Sequence, residues 1–191
     1  MRLETDRLIL RPFSEQDAAD TFAYCKNPRV GPPAGWSPHK SLEETLEIIR
    51  TVFSQPHVFA VVERESGRVI GSVGFVGRHR TELPGPDEEV GYALSPEFWG
   101  RGLMPEAVRE ILRYGFEQLK LETIWCGCYE WNQKSRRVAE KCGFQYQLSD
   151  SCWVESVGEM CTELHYAITR EMWEERQADD ELLNLLFSLT T

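Results

Sequence analysis

The stretch Leu94–Ala107 constrains this chain more than any other. An apolar strand ends at Ser95-Pro96, glycines follow at Gly100 and Gly102, and Pro105 stands at the first helical position that proline favours. A helix start leaves several backbone N–H groups unpaired and carries partial positive charge. Glycine lets the backbone curl close to a ligand. A strand, glycine loop and helix in that order make an anion site suited to a diphosphate. Two common phosphate patterns are excluded. A P-loop needs Gly-Lys-Ser/Thr at the helix start, and Leu103-Met104-Pro105 lacks it. A dinucleotide fingerprint needs a third glycine where Pro105 stands.

The flanking chain reads as an α/β (α+β) domain. Strands are predicted at Leu8–Leu10, Val58–Val62, Val69–Val76, Glu89–Leu94, Thr123–Tyr129, Phe144–Val157 (with a bend) and Thr162–Ile168. Ser14 caps a helix carrying Ala18, Ala19, Phe22 and Ala23 on one face. Ser41 and Glu44 form a capping box ahead of Leu42, Leu46, Ile49 and Phe53. A third helix runs from Pro105 to Leu119, and a fourth from Asn132 to Cys142, with Gly143 as its stop. Arg170 to Leu189 reads as a last helix with Leu182, Leu185, Leu186 and Leu189 on one side. The expectation is a mixed central sheet of about seven strands flanked by helices over residues 1–170. Residues 171–191 are a helical extension of the same domain.

Composition removes several function classes. With 41% apolar residues the chain can bury a core. No run reaches the roughly 20 apolar residues of a membrane span, so no membrane partner is expected. The start lacks a signal peptide's apolar region, so a cytoplasmic location is expected. A net charge of −10 argues against nucleic acid. It either attracts cationic partners or solvates the surface. Cys126 and Cys128 share one strand face and, with Cys152, Cys161 or His165, invite a metal reading. No C-x-x-C pair occurs among the six cysteines, and free buried thiols with no metal are expected.

The segment Pro96–Ala107 resembles the pyrophosphate loop of the GNAT acetyltransferases, whose pattern is Arg/Gln-x-x-Gly-x-Gly/Ala. Trp99 takes the Arg/Gln place and Met104 the last Gly/Ala place, as in the RimJ/RimL branch that acetylates ribosomal-protein N-termini. Glu4–Arg11 resembles that branch's opening strand, Glu89–Leu94 its central strand, and Asn132–Phe144 its Asn-x-x-Ser helix with the Gly-Phe after it. The resemblance runs over about residues 3–170 and implies the GNAT acyl-CoA N-acyltransferase fold. It implies acetyl-CoA as donor and direct attack by an amine.

The same resemblance assigns roles. The backbone N–H groups of Arg101, Gly102, Leu103 and Met104, in the loop of Trp99 and Gly100, hold the diphosphate. Backbone groups near Ala93 and Leu94 hold the pantetheine arm, and the Leu94 N–H polarises the thioester carbonyl. Asn132 caps its helix and also contacts pantetheine. Ser135 assists the leaving thiolate or is an ordinary helix serine. The base is assigned to Glu155, with Glu159, Glu163 and Glu89 as alternatives. Apart from the resemblance, Trp36 and His79 are expected on the acceptor side because both lie on loops. An α-amine, with its pKa of about 7.7–8.0, is easier to use than a lysine. The acceptor is a peptide or small-molecule amine (polyamine, amino sugar or drug). A non-catalytic acyl-CoA-binding module is the other reading, and a homodimer is a fair expectation.

Overall fold

The computed structural model describes residues 1–188. Their strands form one eight-stranded mixed sheet in the order β1-β2-β3-β4-β5-β6-β8-β7. In chain order the elements are β1 (Leu3–Glu4), β2 (Leu8–Arg11), α1 (Ala18–Cys25), α2 (Leu42–Thr51), β3 (Val58–Glu63), β4 (Val69–Phe75) and β5 (Asp87–Leu94). Then come α3 (Leu103–Glu117), β6 (Thr123–Tyr129), α4 (Gln133–Cys142), β7 (Gln145–Val154), β8 (Glu159–Thr169) and α5 (Arg170–Ser188). The expected seven strands become eight because Leu3–Glu4 pairs with Ile9–Leu10 at the sheet edge. Two residues are too few for alternation to show in a sequence.

Each face of the sheet carries helices. The stripe Ala107, Val108, Ile111, Leu112 and Phe116 of α3 is fully buried in the larger core. Gly115 lets α3 sit close, since a Cβ there would lie 2.8 Å from Ile124 and 2.9 Å from Phe75. The smaller core joins Tyr24, Cys25 and Val30 to Ala60, Val62, Val69 and Ala93. Trp173 of α5 packs on Phe116, with ring centroids 5.2 Å apart. Leu182, Leu185 and Leu186 further along are exposed. Leu189 lies outside the described residues. Among the described residues, no helix is long and apolar enough to cross a membrane.

Three boundaries differ from the sequence reading. A 3₁₀ turn, Glu15–Asp17, precedes α1, and the Asp17 carboxylate accepts from the Ser14 N–H at 2.7 Å. Helix α3 begins at Leu103, so Pro105 is its third residue. A proline is tolerated there because first-turn N–H groups have no intrahelical partner. Strand β8 starts at Glu159, ahead of the expected Thr162, and β7 ends at Val154. The longer hairpin moves Glu155 off the strand and into the turn.

Candidate active site

Strands β5 and β6 are parallel neighbours for only three residue pairs, Asp87–Glu89 against Thr123–Trp125. Beyond Glu89 they part. On the other side of β5 the antiparallel ladder with β4 continues to Leu94. Val76 N–H donates to Glu89 and Ser95 N–H to Ile70, which fixes the alternation along β5. Ala93 therefore spends its backbone groups on Ser72, while those of Tyr92 and Leu94 face the gap. A strand residue aims both backbone groups at one neighbour, so the backbone of Ala93 is turned toward β4 and the gap is met by the residues on either side of it.

The glycine loop closes the wide end of the gap. Gly100 and Gly102 have φ of +77° and +75°, the left-handed region that favours glycine. A Cβ at Gly100 would meet nothing within 4 Å, and one at Gly102 only Arg7 at 3.7 Å. The loop is thus a cradle open to solvent. It is braced from below by the opening strand. Arg7 donates to the Arg101 carbonyl at 2.9 Å and pairs with Glu106, which also accepts from Thr5 at 2.6 Å. The Arg101 guanidinium reaches Glu63 at 2.7 Å, so its side chain is tied down. Trp99 turns back on β5, and its Nε1 donates to the Leu94 carbonyl at 2.8 Å.

Helix α4 brings Asn132 and Ser135 to the same gap. Asn132 Oδ1 accepts from the Ser135 N–H at 3.2 Å, the expected cap. Its Nδ2 donates to the Pro33 carbonyl at 2.9 Å, so it also ties down the loop after α1. The Ser135 hydroxyl lies 2.9 Å from the Tyr92 hydroxyl, which donates to the Ser135 carbonyl at 3.0 Å. A hydroxyl has one proton. With Tyr92 donating to the carbonyl, Ser135 must donate to Tyr92. Burial holds the Tyr92 pKa well above the ordinary tyrosine value, so the ring stays a neutral donor. The sequence reading missed Tyr92. Its signal was a phenol on the core-facing side of a strand, where a buried hydroxyl requires a partner.

Alternation divides the chemistry between the two faces of the sheet. Tyr92, Leu94 and Cys126 face α3 and α4. Glu89, Glu163 and His165 face the other way, into a cleft of about 460 Å³ also lined by Arg78, His79, Arg80, Thr81 and Glu82, and Gly127 of β6 stands opposite His165. Glu89 is buried at the last paired position before the gap. Burial raises its pKa, Arg78 lowers it again, and Glu163 adds to the rise. A Cβ on Gly127 would lie 2.6 Å from Glu163 Oε1 and 3.4 Å from Glu89 Oε1, so this glycine makes room for both carboxylates. Arg78 Nη1 stands 3.3 Å from Glu89 and 3.8 Å from Glu163. Arg80 donates to His165 Nε2 at 2.8 Å and to Asp150 at 3.0 Å. Burial, reinforced by Arg80, lowers the His165 pKa and keeps that ring neutral.

The other expected residues fall as follows. His79 lines the cleft, exposed, and the Asp87 carboxylate at 3.2 Å from its Nδ1, with the Asp87 carbonyl at 2.9 Å, raises its pKa. Trp36 packs partly buried against the smaller core, beside His39. Glu155 is exposed in the β7–β8 turn, where it accepts from the Trp153 indole at 2.9 Å. It is not among the residues lining the cleft. Glu159 is exposed at the same hairpin end. Cys126 and Cys128 are buried side by side, and burial raises the Cys128 thiol to about 11. Among the described residues no group of three metal-ligating side chains is assembled.

A family model described as "Acetyltransferase (GNAT) domain" matches residues 7–145. The uncharacterized N-acetyltransferase YoaA of Bacillus subtilis is 32% identical over 148 residues, 75% of this chain and 82% of that one. FsC-acetyl coenzyme A-N(2)-transacetylase of Aspergillus fumigatus is 35% identical over 181 residues, 90% of this chain and 77% of that one. The crystal structure of a GNAT-family acetyltransferase from Bacillus anthracis superposes with a TM-score of 0.76 at 24% identity, covering 90% of this chain and 99% of that one.

Proposed function

The chain belongs to the acetyltransferase (GNAT) family of acetyl-CoA-dependent acyltransferases, and from that premise we propose that it acetylates a primary amine that enters by the Glu89 cleft. One observation carries the reading. A buried carboxylate sits where β5 and β6 part, on the opposite sheet face from the glycine loop and Ser135. The gap joins the two faces, so donor and acceptor meet through the sheet from opposite sides.

The residues present fit the donor. Open space beside two left-handed glycines, next to the unpaired N–H groups of Leu103 and Met104, suits a diphosphate. The backbone groups of Tyr92 and the N–H of Leu94 suit an amide-bearing arm, the Leu94 carbonyl being taken by Trp99, and Asn132 borders the same gap. Ala93 offers only its side chain. Acetyl-CoA supplies the activated acyl group as a thioester. In this reading the Leu94 N–H donates toward a carbonyl oxygen in the gap as negative charge develops there. Glu89 takes the amine proton, directly or through one water, because its raised pKa makes it a better base than a surface carboxylate. Ser135 turns its hydrogen bond from Tyr92 to the departing thiolate, and Tyr92 turns its own to the Ser135 oxygen. Both hydroxyls keep their protons, and the released thiolate takes its proton from water.

The cleft is acidic on balance, with Glu82, Glu89 and Glu163 against Arg78 and Arg80. It therefore favours a cationic amine, either a protein N-terminus or a small polyamine. The test is thiol release from acetyl-CoA with short peptides, polyamines, amino sugars and amino acids. Turnover confined to cationic amines supports the assignment. Turnover of none, with CoA still bound, leaves a binding module and overturns it.

A further inference from the structure

We propose that Arg29 and Lys134 form a side-chain clamp on the CoA diphosphate, mounted on the ring of Trp99. The proposal rests on the donor assignment above. Arg29 lies in the loop after α1, and Lys134 is the second residue of α4. They converge on one indole. Lys134 Nζ is 4.3 Å from the Trp99 ring centroid and Arg29 Cζ is 5.5 Å from it. Trp99 is itself held by its bond to the Leu94 carbonyl, and Gly100 follows it directly. Two cations are thus presented beside the amide-rich loop.

Three features say that this pair awaits an anion. First, the chain has 31 acidic residues and 21 arginines and lysines, and most of its arginines hold an acid partner. Arg11, Arg50, Arg101 and Arg170 each hold one. Arg29 and Lys134 hold none among the described residues, as is true also of the other four lysines and of Arg109, Arg137 and Arg176, but of these only this pair shares one ring. Second, two like charges on one ring repel, and the aromatic face offsets only part of that. Third, Lys134 sits in the first turn of α4, where the helix dipole disfavours a cation and favours an anion. That turn contains no acidic residue. A dianionic group between the loop amides, the α4 start and the two cations answers all three. Both side chains are exposed, so they are free to swing from the indole onto a ligand.

The test is calorimetric titration of the full chain with CoA and with dephospho-CoA, which keeps the diphosphate and lacks the 3′-phosphate. Arg29→Gln and Lys134→Gln should each weaken both ligands roughly tenfold, and the double variant roughly a hundredfold. The salt dependence of binding should flatten in step, because it reports the charges engaged. Lys134→Arg and Arg29→Lys should stay within about threefold of the parent protein. Ligand-free melting temperatures should not move. A double variant within about twofold of the parent overturns the clamp. So does an affinity loss with an unchanged salt slope. A loss for CoA but not for dephospho-CoA moves the contact to the 3′-phosphate and also overturns it. If the unmodified chain binds neither ligand, the donor assignment itself fails.

Discussion

Glu89→Gln separates catalysis from folding. The side chain of Glu89 is 8% exposed, and its nearest cation, Arg78 at 3.3 Å, is 65% exposed. Burial is the largest influence on its carboxyl and raises the pKa; Arg78 recovers part of the cost, and Glu163 adds repulsion. A carboxyl whose folded pKa lies above its unfolded value destabilises the fold as pH rises, because ionisation is harder inside than out. A neutral amide of the same shape removes that burden. The Arg78 pair it loses is worth about 0–1 kcal/mol at such exposure. The melting temperature at neutral pH should therefore hold or rise. Catalysis should fall roughly 10²–10⁴-fold in kcat/KM, about 3–5 kcal/mol of barrier, the range for a positioned base. In the parent protein kcat/KM should rise with pH through a limb above the ordinary carboxylate range, and Glu89→Gln should lose that limb. The assay is thiol release against pH with the best amine of the panel. A variant within about threefold of the parent, or one that keeps the acidic limb, refutes the reasoning.

Further outcomes follow from the same geometry. Gly102→Ala forces a Cβ into φ +75° with only Arg7 nearby, so its cost is backbone strain of about 1–2 kcal/mol. A melting scan should show that loss, and the CoA-induced shift should shrink further than the strain accounts for. Ser135→Ala should lower kcat roughly 10- to 100-fold with little change in acetyl-CoA affinity, and Tyr92→Phe should follow it in part. Equal turnover in both variants removes the pair from the mechanism. For Asp17, burial raises the pKa, but the Arg11 ion pair and the Ser14 N–H outweigh it and the net shift is downward. Its stabilisation is present above the ordinary carboxylate pKa and fades as pH falls through the lower folded value. Asp17→Asn should cost about 1–3 kcal/mol at pH 7 by denaturant titration, and much less in acid.

Much of the fold was legible because its elements carry local signals. The stripe of α3, the Asn132 cap and the Gly143 stop each rest on neighbours within a turn or two, and each stands where expected. Errors fell where no local signal exists. Leu3–Glu4 is a strand only because Ile9–Leu10 lies alongside it. Pro105 marks the start of α3 to within two residues, since any first-turn position tolerates it. Glu155 looked like a strand residue because nothing in Ser156–Gly158 says how far a hairpin extends.

The sequence by itself determined the glycine loop that we assign to the donor. Gly100, Gly102 and the residues around them suffice, because backbone conformation and helix polarity are set over a few consecutive positions. The cleft that we assign to the acceptor was decided only in three dimensions. Glu89, Gly127, Glu163 and His165 come from three strands, and no spacing along the chain announces their meeting. The register that stops β5–β6 pairing at Glu89 gathers them, and the same register turns Tyr92 onto Ser135. Strand register is a property of the whole sheet, so the site it builds becomes visible only once the sheet is assembled.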